Sequence, residues 1–258
     1  MAFDKAFRQQ EGRRKMRMSS GELERRIVYE DEAVIVVWKP AGVAVQSARV
    51  TEPDLIGLLL LREQMKGEGK REIRIVHRLD QPVEGMMVFA ETKEAAAALS
   101  RQLTDGSMKK IYRAVVDGII PADEGILTDY LLEDPKTNTS KVVPAPKTKS
   151  AGMHTGKRPR RAVLAYKKIA ENEVEIELGT GRRHQIRVQL AHAGMPVRGD
   201  RKYGPAAQDG MSMNGEQKTG PSARTRLYLK SYSLSFIHPV SGERVTFTES
   251  PSGQESGW

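Results

Sequence analysis

One stretch of the chain, residues 75–90, places a single carboxylate where regular structure has to break. Asp80 follows an arginine by two residues, and Pro82 and Gly85 come shortly after it. Residues 86–90, Met-Met-Val-Phe-Ala, then have the length and composition of a buried strand. Because proline and glycine interrupt regular structure, we expect Asp80 to lie on a loop at a sheet edge. Loops held by a rigid scaffold are where catalytic groups concentrate, although a loop aspartate taken alone more often caps a turn.

The charge of the chain narrows the class of its partner. Lysine and arginine number 42 against 33 acidic residues, which gives a net charge of +9. The excess is concentrated, because residues 136–170 contain ten lysines or arginines and no acidic residue. We therefore predict a nucleic-acid backbone as the partner, with a contact surface in this stretch. Aromatic residues are only 5% of the chain, so no base-stacking platform is expected. The densest basic cluster consists of Lys157, Arg158, Arg160 and Arg161.

Several classes of protein are disfavoured by composition. The chain has no cysteine, which excludes disulfides and thiolate metal sites. No apolar run approaches the roughly 20 residues that span a bilayer, and the N-terminus lacks an apolar signal segment. We expect a cytoplasmic protein that does not contact a membrane. We divide it into a basic N-terminal arm at 1–24, one large domain at 25–249 and a loose tail at 250–258.

The periodicity of the sequence predicts a mixture of strands and helices. We expect Thr51 to begin a helix as its N-cap and a second helix to end before Gly106. Two long segments, 134–161 and 205–223, lack a clear period and are predicted as loops, the first alternatively as a pair of ragged strands. Helices are predicted at 51–66, 93–103 and from 182 to about 193. Strands are predicted at 26–38, 110–118, 162–169, 173–178, 227–236 and 244–247.

Four separated motifs together resemble the RluA-type RNA pseudouridine synthases. The first is His77-Arg78-Leu79-Asp80 with the glycine and apolar strand that follow, which resembles that family's catalytic motif. The others also match in order and cover most of residues 27–248. They are the turn Lys39-Pro40-Ala41-Gly42, the strand at 110–118, and Gly181 to Leu190 followed by Gly194 to Asp200 and Tyr203-Gly204. The resemblance implies an α+β fold, with one catalytic domain around a bent, mostly antiparallel sheet flanked by helices.

The resemblance also implies a reaction and roles for individual residues. Uridine in ribosomal or transfer RNA would be flipped out of its helix and isomerised to pseudouridine, with no cofactor and no metal. Asp80 would be the catalytic carboxylate, which attacks C1′ or assists loss of the C2′ proton. Arg187 would pair with it, and Tyr112 would pack on the base and be a candidate acceptor of its C5 proton. Arg78 would hold the flipped nucleotide, and we also assign Lys39 and Arg183 to RNA binding.

The sequence departs from the family pattern at two places and leaves two other functions open. Val83-Glu84 replaces the usual Thr-Ser, and Gln189 stands where histidine is frequent; we expect both changes to affect substrate contacts. One alternative is an RNA-binding or assembly factor that uses the same scaffold without catalysis. Another is a metal-dependent nuclease using His77, Asp80 and His184 or His192, which the ligand spacing disfavours. We expect a monomer, and the sequence does not identify the target uridine.

Overall fold

The computed structural model of the protein describes residues 18–47, 53–67, 72–146, 158–205 and 226–249. One sheet of eleven strands organises this part of the chain. Its main path runs β1-β2-β4-β10-β5-β9-β8-β6-β7, while β3 pairs with β4 and β11 pairs with β10. The pairings are antiparallel except that between β4 and β10. The expected α+β fold with a mostly antiparallel sheet is confirmed.

The strands are β1 (Ile27–Glu30), β2 (Val34–Lys39), β3 (Arg74–Ile75), β4 (Glu84–Ala90), β5 (Lys109–Val115), β6 (Glu124–Asp134), β7 (Thr139–Val143), β8 (Arg160–Ala170), β9 (Glu173–Leu178), β10 (Leu229–Ile237) and β11 (Arg244–Thr248). The helices are α1 (Ser20–Glu24), α2 (Leu55–Lys66), α3 (Lys93–Asp105) and α4 (Gln185–His192). None of these helices is long and apolar enough to cross a membrane.

Local capping decides where the two longer helices begin and end. The Thr92 side chain accepts a hydrogen bond from Ala95 N at the start of α3, and Gly106 ends it in the left-handed conformation. Helix α2 begins at Leu55 because the Asp54 carboxylate accepts from Gly57 N. The prediction of Thr51 as N-cap was therefore wrong for this helix; that residue itself lies outside the described ranges.

The long basic segment is only partly a loop. Strand β6 ends at Asp134, a four-residue turn follows, and β7 pairs back on β6 as the last strand of the sheet. Residues 144–146 and 158–159 are irregular, and 147–157 lie outside the described residues. Strand β6 was not predicted, although its alternating burial is typical of a strand with one exposed face.

Two buried clusters cover the two faces of the sheet. Helix α3 and the last strands enclose the smaller one, which includes Val34, Val88, Leu99 and Phe236. The larger cluster lies on the opposite face and includes Met18 and Leu23, so the end of the predicted N-terminal arm packs on the main body. Residues 1–17 and the predicted tail, 250–258, lie outside the described residues.

One row of the sheet sets the position of the candidate site. This row crosses four adjacent strands, β2, β4, β10 and β5, and consists of Lys39, Gly85, Ser231 and Tyr112, each paired with the next. Paired residues direct their side chains to the same face of a sheet, here the face of the larger cluster. Gly85 has a φ of +125°, and a Cβ there would lie 2.3 Å from the Ser231 backbone oxygen. Glycine is thus required for β10 to approach β4 at the point where the Asp80 loop enters the sheet.

Candidate active site

Asp80 lies on the loop that joins β3 to β4, as its sequence predicted. The β3–β4 ladder ends at Ile75, and the side chain of His77 then replaces the backbone by accepting from Val88 N at 3.2 Å. Burial and the charge of Lys110 lower the pKa of His77 to about 3, so the ring is neutral and remains an acceptor. A tight turn follows, closed by Val83 N donating to the Asp80 carbonyl at 3.0 Å. The Asp80 side chain keeps 27% of its surface exposed.

Lys39 holds the loop between β3 and β4 through its buried side chain. Its side chain is fully buried, and its ammonium donates to the carbonyls of Pro40, Val43 and Gln81 at 2.9, 2.8 and 3.2 Å. The amide of Gly42 also donates to the Gln81 carbonyl, at 2.8 Å. The end of β2 and the turn after it therefore hold the carbonyl of Gln81, the residue that follows Asp80, by two hydrogen bonds. This burial argues against the predicted RNA contact of Lys39, because its donors are directed inward to backbone oxygens.

The buried ammonium predicts a dependence of stability on pH. Burial lowers the pKa of Lys39 to about 7, although the charges of Asp80 and Glu84 act in the opposite direction. In the unfolded chain lysine has a pKa of about 10.4, so between pH 7 and 10 the unfolded state binds more protons. Relative to Lys39→Met, the free energy of unfolding of the unmodified protein should rise with pH, by up to about 1.4 kcal/mol per unit.

Denaturant unfolding of both proteins between pH 6 and 10 measures this difference. Lys93→Met, at the exposed start of α3, is the matched control and should show a difference that does not change with pH. A flat difference for Lys39→Met as well would mean that Lys39 keeps an ordinary pKa.

A buried charge network holds Asp80 from the other side. Arg187 on α4 donates to Asp80 Oδ2 through Nη1 at 3.1 Å. Its Nε and Nη2 both donate to the Asp200 carboxylate at 2.7 Å, a bidentate pair. Burial disfavours the charged forms of both Arg187 and Asp200. The carboxylates of Asp200 and Asp80 nevertheless raise the pKa of Arg187, and Arg187 holds the pKa of Asp200 below its usual range. Arg187 is thus a fixed cation with one donor committed to Asp80.

Tyr112 completes the group that the sequence predicted. It lies on β5, directly across from Ser231, and only 6% of it is exposed. Burial, reinforced by the negative charge of Asp80, raises the pKa of Tyr112, while a hydrogen bond with the Ser231 side chain acts in the opposite direction. The structure therefore brings Asp80, Tyr112 and Arg187 together, from positions 80, 112 and 187 of the chain.

Three residues near Asp80, namely Asp200, His184 and Tyr203, had no role in the predicted synthase site. Asp200 holds Arg187 and also orders the turn at 200–203. Its Oδ1 accepts hydrogen bonds from the amides of Lys202 and Tyr203 at 2.9 and 3.2 Å. His184 Nε2 lies 3.6 Å from Asp80 Oδ2, and its Nδ1 lies 2.7 Å from the Tyr203 hydroxyl. All three residues stand inside the motifs on which the family resemblance rests, and that was the available signal.

The predicted RNA-binding residues fall into different settings. Arg78 and Arg183 are exposed, and their side chains form no hydrogen bond or ion pair with the residues that the structure describes. Arg158, Arg160 and Arg161 are exposed at the start of β8, next to the end of β6. Arg182 joins this edge to the site, because its Nε donates to the Arg161 carbonyl at 3.1 Å. Lys157 lies outside the described residues.

The two departures from the family pattern have different consequences. Gln189 is fully buried and donates to Asp129 Oδ2 at 2.7 Å, so it cannot contact a substrate in this conformation, contrary to our expectation. Glu84 is mostly buried beside Lys39 and pairs with Arg226. Within the described ranges, no group of three or more His, Asp or Glu side chains is placed to hold a metal ion.

Comparison with known proteins identifies the family to which this site belongs. The model of the RNA pseudouridylate synthase family matches residues 33–192. The chain belongs to that family. Membership confirms the resemblance seen in the sequence. Within the family model's range lie Asp80, Tyr112 and Arg187, whereas Asp200 and Tyr203 follow it.

Individual members of the RNA pseudouridylate synthase family are similar over most of this chain. Ribosomal large subunit pseudouridine synthase D of Neisseria meningitidis is 40% identical over 223 residues, which are 86% of this chain and 56% of that protein. The uncharacterized RNA pseudouridine synthase YhcT of Bacillus subtilis is 32% identical over 87% of this chain and 67% of its own. The chain thus spans little more than half the length of the Neisseria relative.

A solved structure shares the fold. Human RNA pseudouridylate synthase domain containing 4 superimposes with a TM-score of 0.67, covers 89% of each chain, and is 22% identical. At this identity the likeness concerns the fold alone. It agrees with the open, mostly antiparallel sheet described above.

Proposed function

We propose that the protein is an RNA pseudouridine synthase that isomerises uridine within ribosomal or transfer RNA. The observation that carries this proposal is the partly exposed Asp80 carboxylate, held by Arg187 through one oxygen and adjoining the buried Tyr112. The sequence relatives of this chain bear the names of enzymes of this class. Because the Neisseria relative is named for the large ribosomal subunit, the RNA of that subunit is the first substrate to test and transfer RNA the second.

The chemistry requires an ionised carboxylate at the sugar and no change in composition of the RNA. The N1–C1′ bond of uridine breaks, the base turns, and C5 joins C1′; the proton that C5 loses is balanced by one that N1 gains. Asp80 either attacks C1′, forming an ester that C5 then displaces, or removes the C2′ proton and returns it once C5 has joined C1′. Arg187 holds the carboxylate in place, because a guanidinium stays charged and pairs directionally with it. Tyr112 packs against the base; because its raised pKa keeps the phenol protonated, uptake of the C5 proton there requires that its own O–H proton pass to a neighbouring acceptor.

The proposed RNA surface lies around Asp80. Chemistry on a base requires extruding it from a helix, at a cost of roughly a few kcal/mol. Arg78, exposed two residues before Asp80, is placed to contact the extruded nucleotide or its phosphate. Arg183, with Arg160 and Arg161 at the start of β8, extends the positive surface along the phosphate backbone. The protein would act as a cytoplasmic monomer, which gel filtration of the purified chain tests in part.

Mapping of pseudouridine on cellular RNA tests the proposal. Purified protein and its Asp80→Ala variant are incubated with RNA from a strain that lacks the gene. Carbodiimide-blocked primer extension then locates pseudouridine across ribosomal and transfer RNA. The proposal expects a new stop with the unmodified protein alone. Salt-sensitive RNA binding without a new stop would indicate the non-catalytic RNA-binding factor instead.

A further inference from the structure

A chain of polar contacts leads from Asp80 to the edge of the sheet. His184 Nε2 lies 3.6 Å from Asp80 Oδ2, and on the other side of the ring Nδ1 lies 2.7 Å from the Tyr203 hydroxyl. The Tyr203 hydroxyl accepts from the amide of Ser140 on β7 at 2.8 Å. The Tyr203 ring also packs edge-on against the imidazole and beneath Arg187. The same tyrosine thus contacts both groups that face Asp80 Oδ2.

The backbone at His184 supports a specific role for its side chain. Its φ is +54°, and within the described ranges only one other non-glycine residue, Asn138, has a positive φ. His184 occupies the N-cap of α4 but makes no side-chain cap hydrogen bond there. A residue other than glycine adopts this backbone conformation at a cost in free energy, and such strain persists where the surrounding contacts require it. Here the strained backbone directs the ring away from the helix end and between Asp80 and Tyr203.

Two arguments fix the position of the proton on the imidazole. The Tyr203 oxygen already accepts from Ser140 N, which favours donation of its own O–H to Nδ1 of His184. On the other side, Nε2 faces a carboxylate oxygen, and an N–H there is attractive whereas a lone pair would be repelled. Burial lowers the pKa of His184, and the negative charge of Asp80 opposes that shift. The positive charges of Arg187, Lys202 and Arg183 lower the pKa further. The ring is therefore neutral.

We infer that His184 and Tyr203 are positioning residues that orient the Asp80 carboxylate, His184 through Nε2–H and Tyr203 by fixing that tautomer. This inference rests on the proposed function. Nε2 of His184 and Nη1 of Arg187 both converge on Oδ2, and Oδ1 has no hydrogen bond or ion pair to the described residues. Oδ1 is consequently the oxygen left to react with the ribose. Closing the 3.6 Å separation by roughly 0.6 Å would form a hydrogen bond when RNA binds.

The contacts of β7 indicate what triggers that closure. Ser140 holds the segment at two points, since its amide donates to Tyr203 and its hydroxyl donates to the Arg183 carbonyl at 2.9 Å. The β6–β7 turn is also tied to this region, because Lys202 Nζ donates to the Asn138 carbonyl at 2.6 Å. A phosphate backbone bound at this edge would therefore contact the elements that hold the segment carrying His184. RNA contact and carboxylate geometry are coupled in this way.

Single-turnover kinetics on the RNA that the unmodified protein modifies tests the inference. Tyr203→Phe and His184→Ala should each lower the rate constant about tenfold, the effect of one lost hydrogen bond to a reacting group. The double variant should lose no more than His184→Ala alone, because the two residues act in series. His184→Gln, which keeps an N–H donor, should recover part of the rate. The dissociation constant for RNA should stay within about twofold for all of them.

Controls separate this role from a structural one. Tyr29→Phe removes a phenol hydrogen bond to Asp31 at the remote edge of the sheet, and His192→Gln replaces an exposed histidine of the same helix. Neither should change the rate. Rate losses that add in the double variant would overturn the inference, as would a loss of RNA affinity at an unchanged rate. Unchanged kinetics in every variant would overturn it as well.

A measurement without RNA distinguishes failure of this inference from failure of the proposed function. Long-range proton–nitrogen correlation spectra of protein labelled with nitrogen-15 histidine report the tautomer of each ring. His184, assigned with the His184→Gln variant, should be neutral with its proton on Nε2 at pH 7. In Tyr203→Phe that preference should be lost. An Nδ1–H tautomer or a charged ring in the unmodified protein would overturn the inference even if pseudouridine forms.

Discussion

Asp80→Asn is expected to lower the single-turnover rate of pseudouridine formation by more than about 10⁴-fold. An asparagine keeps the shape of the side chain and its hydrogen-bonding oxygen, but it neither attacks C1′ nor removes a C2′ proton. Arg187 remains paired with Asp200 in the variant through two hydrogen bonds of 2.7 Å, so no buried charge is left alone. The fold and the affinity for RNA should therefore be retained. Quench-flow sampling followed by nucleoside chromatography measures the rate.

The matched control for this substitution is Asp105→Asn, at the exposed end of α3, where the carboxylate caps a turn by accepting from Ser107 N. It should turn over RNA like the unmodified protein. A rate for Asp80→Asn within tenfold of the unmodified protein would show that another group carries the chemistry. Loss of RNA affinity in parallel with the rate would instead assign Asp80 to binding.

Asp200→Ala is expected to destabilise the fold by about 3–5 kcal/mol, the cost of leaving a buried charge without its partner. The Asp200 side chain is only 1% exposed, and its removal strips Arg187 of two of its three acidic contacts. It also releases the amides of Lys202 and Tyr203. Urea unfolding at pH 7 measures the loss. Asp117→Ala, which breaks an exposed pair with Arg198, should cost no more than about 1 kcal/mol.

The deficit of Asp200→Ala should shrink in acid. Because the pKa of Asp200 is lowered in the folded protein, its stabilising effect is fully present above the unfolded value of about 3.9 and is lost as the pH falls through the folded one. Equal losses for Asp200→Ala and Asp117→Ala at pH 7 would contradict a buried ion pair at this position.

Features that depend on neighbours in the chain were predicted closely. Strand β9, Glu173–Leu178, has the predicted bounds because every second residue is apolar. Its glutamates meet basic residues of β5; Glu175 lies across from Arg113 and pairs with it. Helix α3 was placed to within two residues by its threonine cap and terminal glycine. Such signals are local, so the sequence alone is sufficient for them.

Features that depend on distant neighbours were not predicted. Lys39 was assigned to RNA binding, whereas its ammonium is buried and the carbonyl of Gln81, 42 residues away, is one of its three acceptors. Arg183 and Arg187 are four residues apart, yet the first is exposed and the second buried, because α4 begins between them and is enclosed by the sheet. The roles of His184 and Tyr203 likewise depend on contacts with Asp80 and Ser140, which the spacing of residues does not encode.

The large sequence separations between the residues that form the site bear on the order of events during synthesis. Asp80 meets Arg187 across 107 residues of chain, and Met86, at the start of the strand behind it, accepts from Ser231 across 145. A ribosome must therefore make nearly the whole domain before the carboxylate acquires its cation and β4 its parallel neighbour. Until then the edge of β4 stays open at Glu84 and Gly85, the two residues that pair with β10. Nascent chains on stalled ribosomes would consequently lack a formed active site until β10 has emerged.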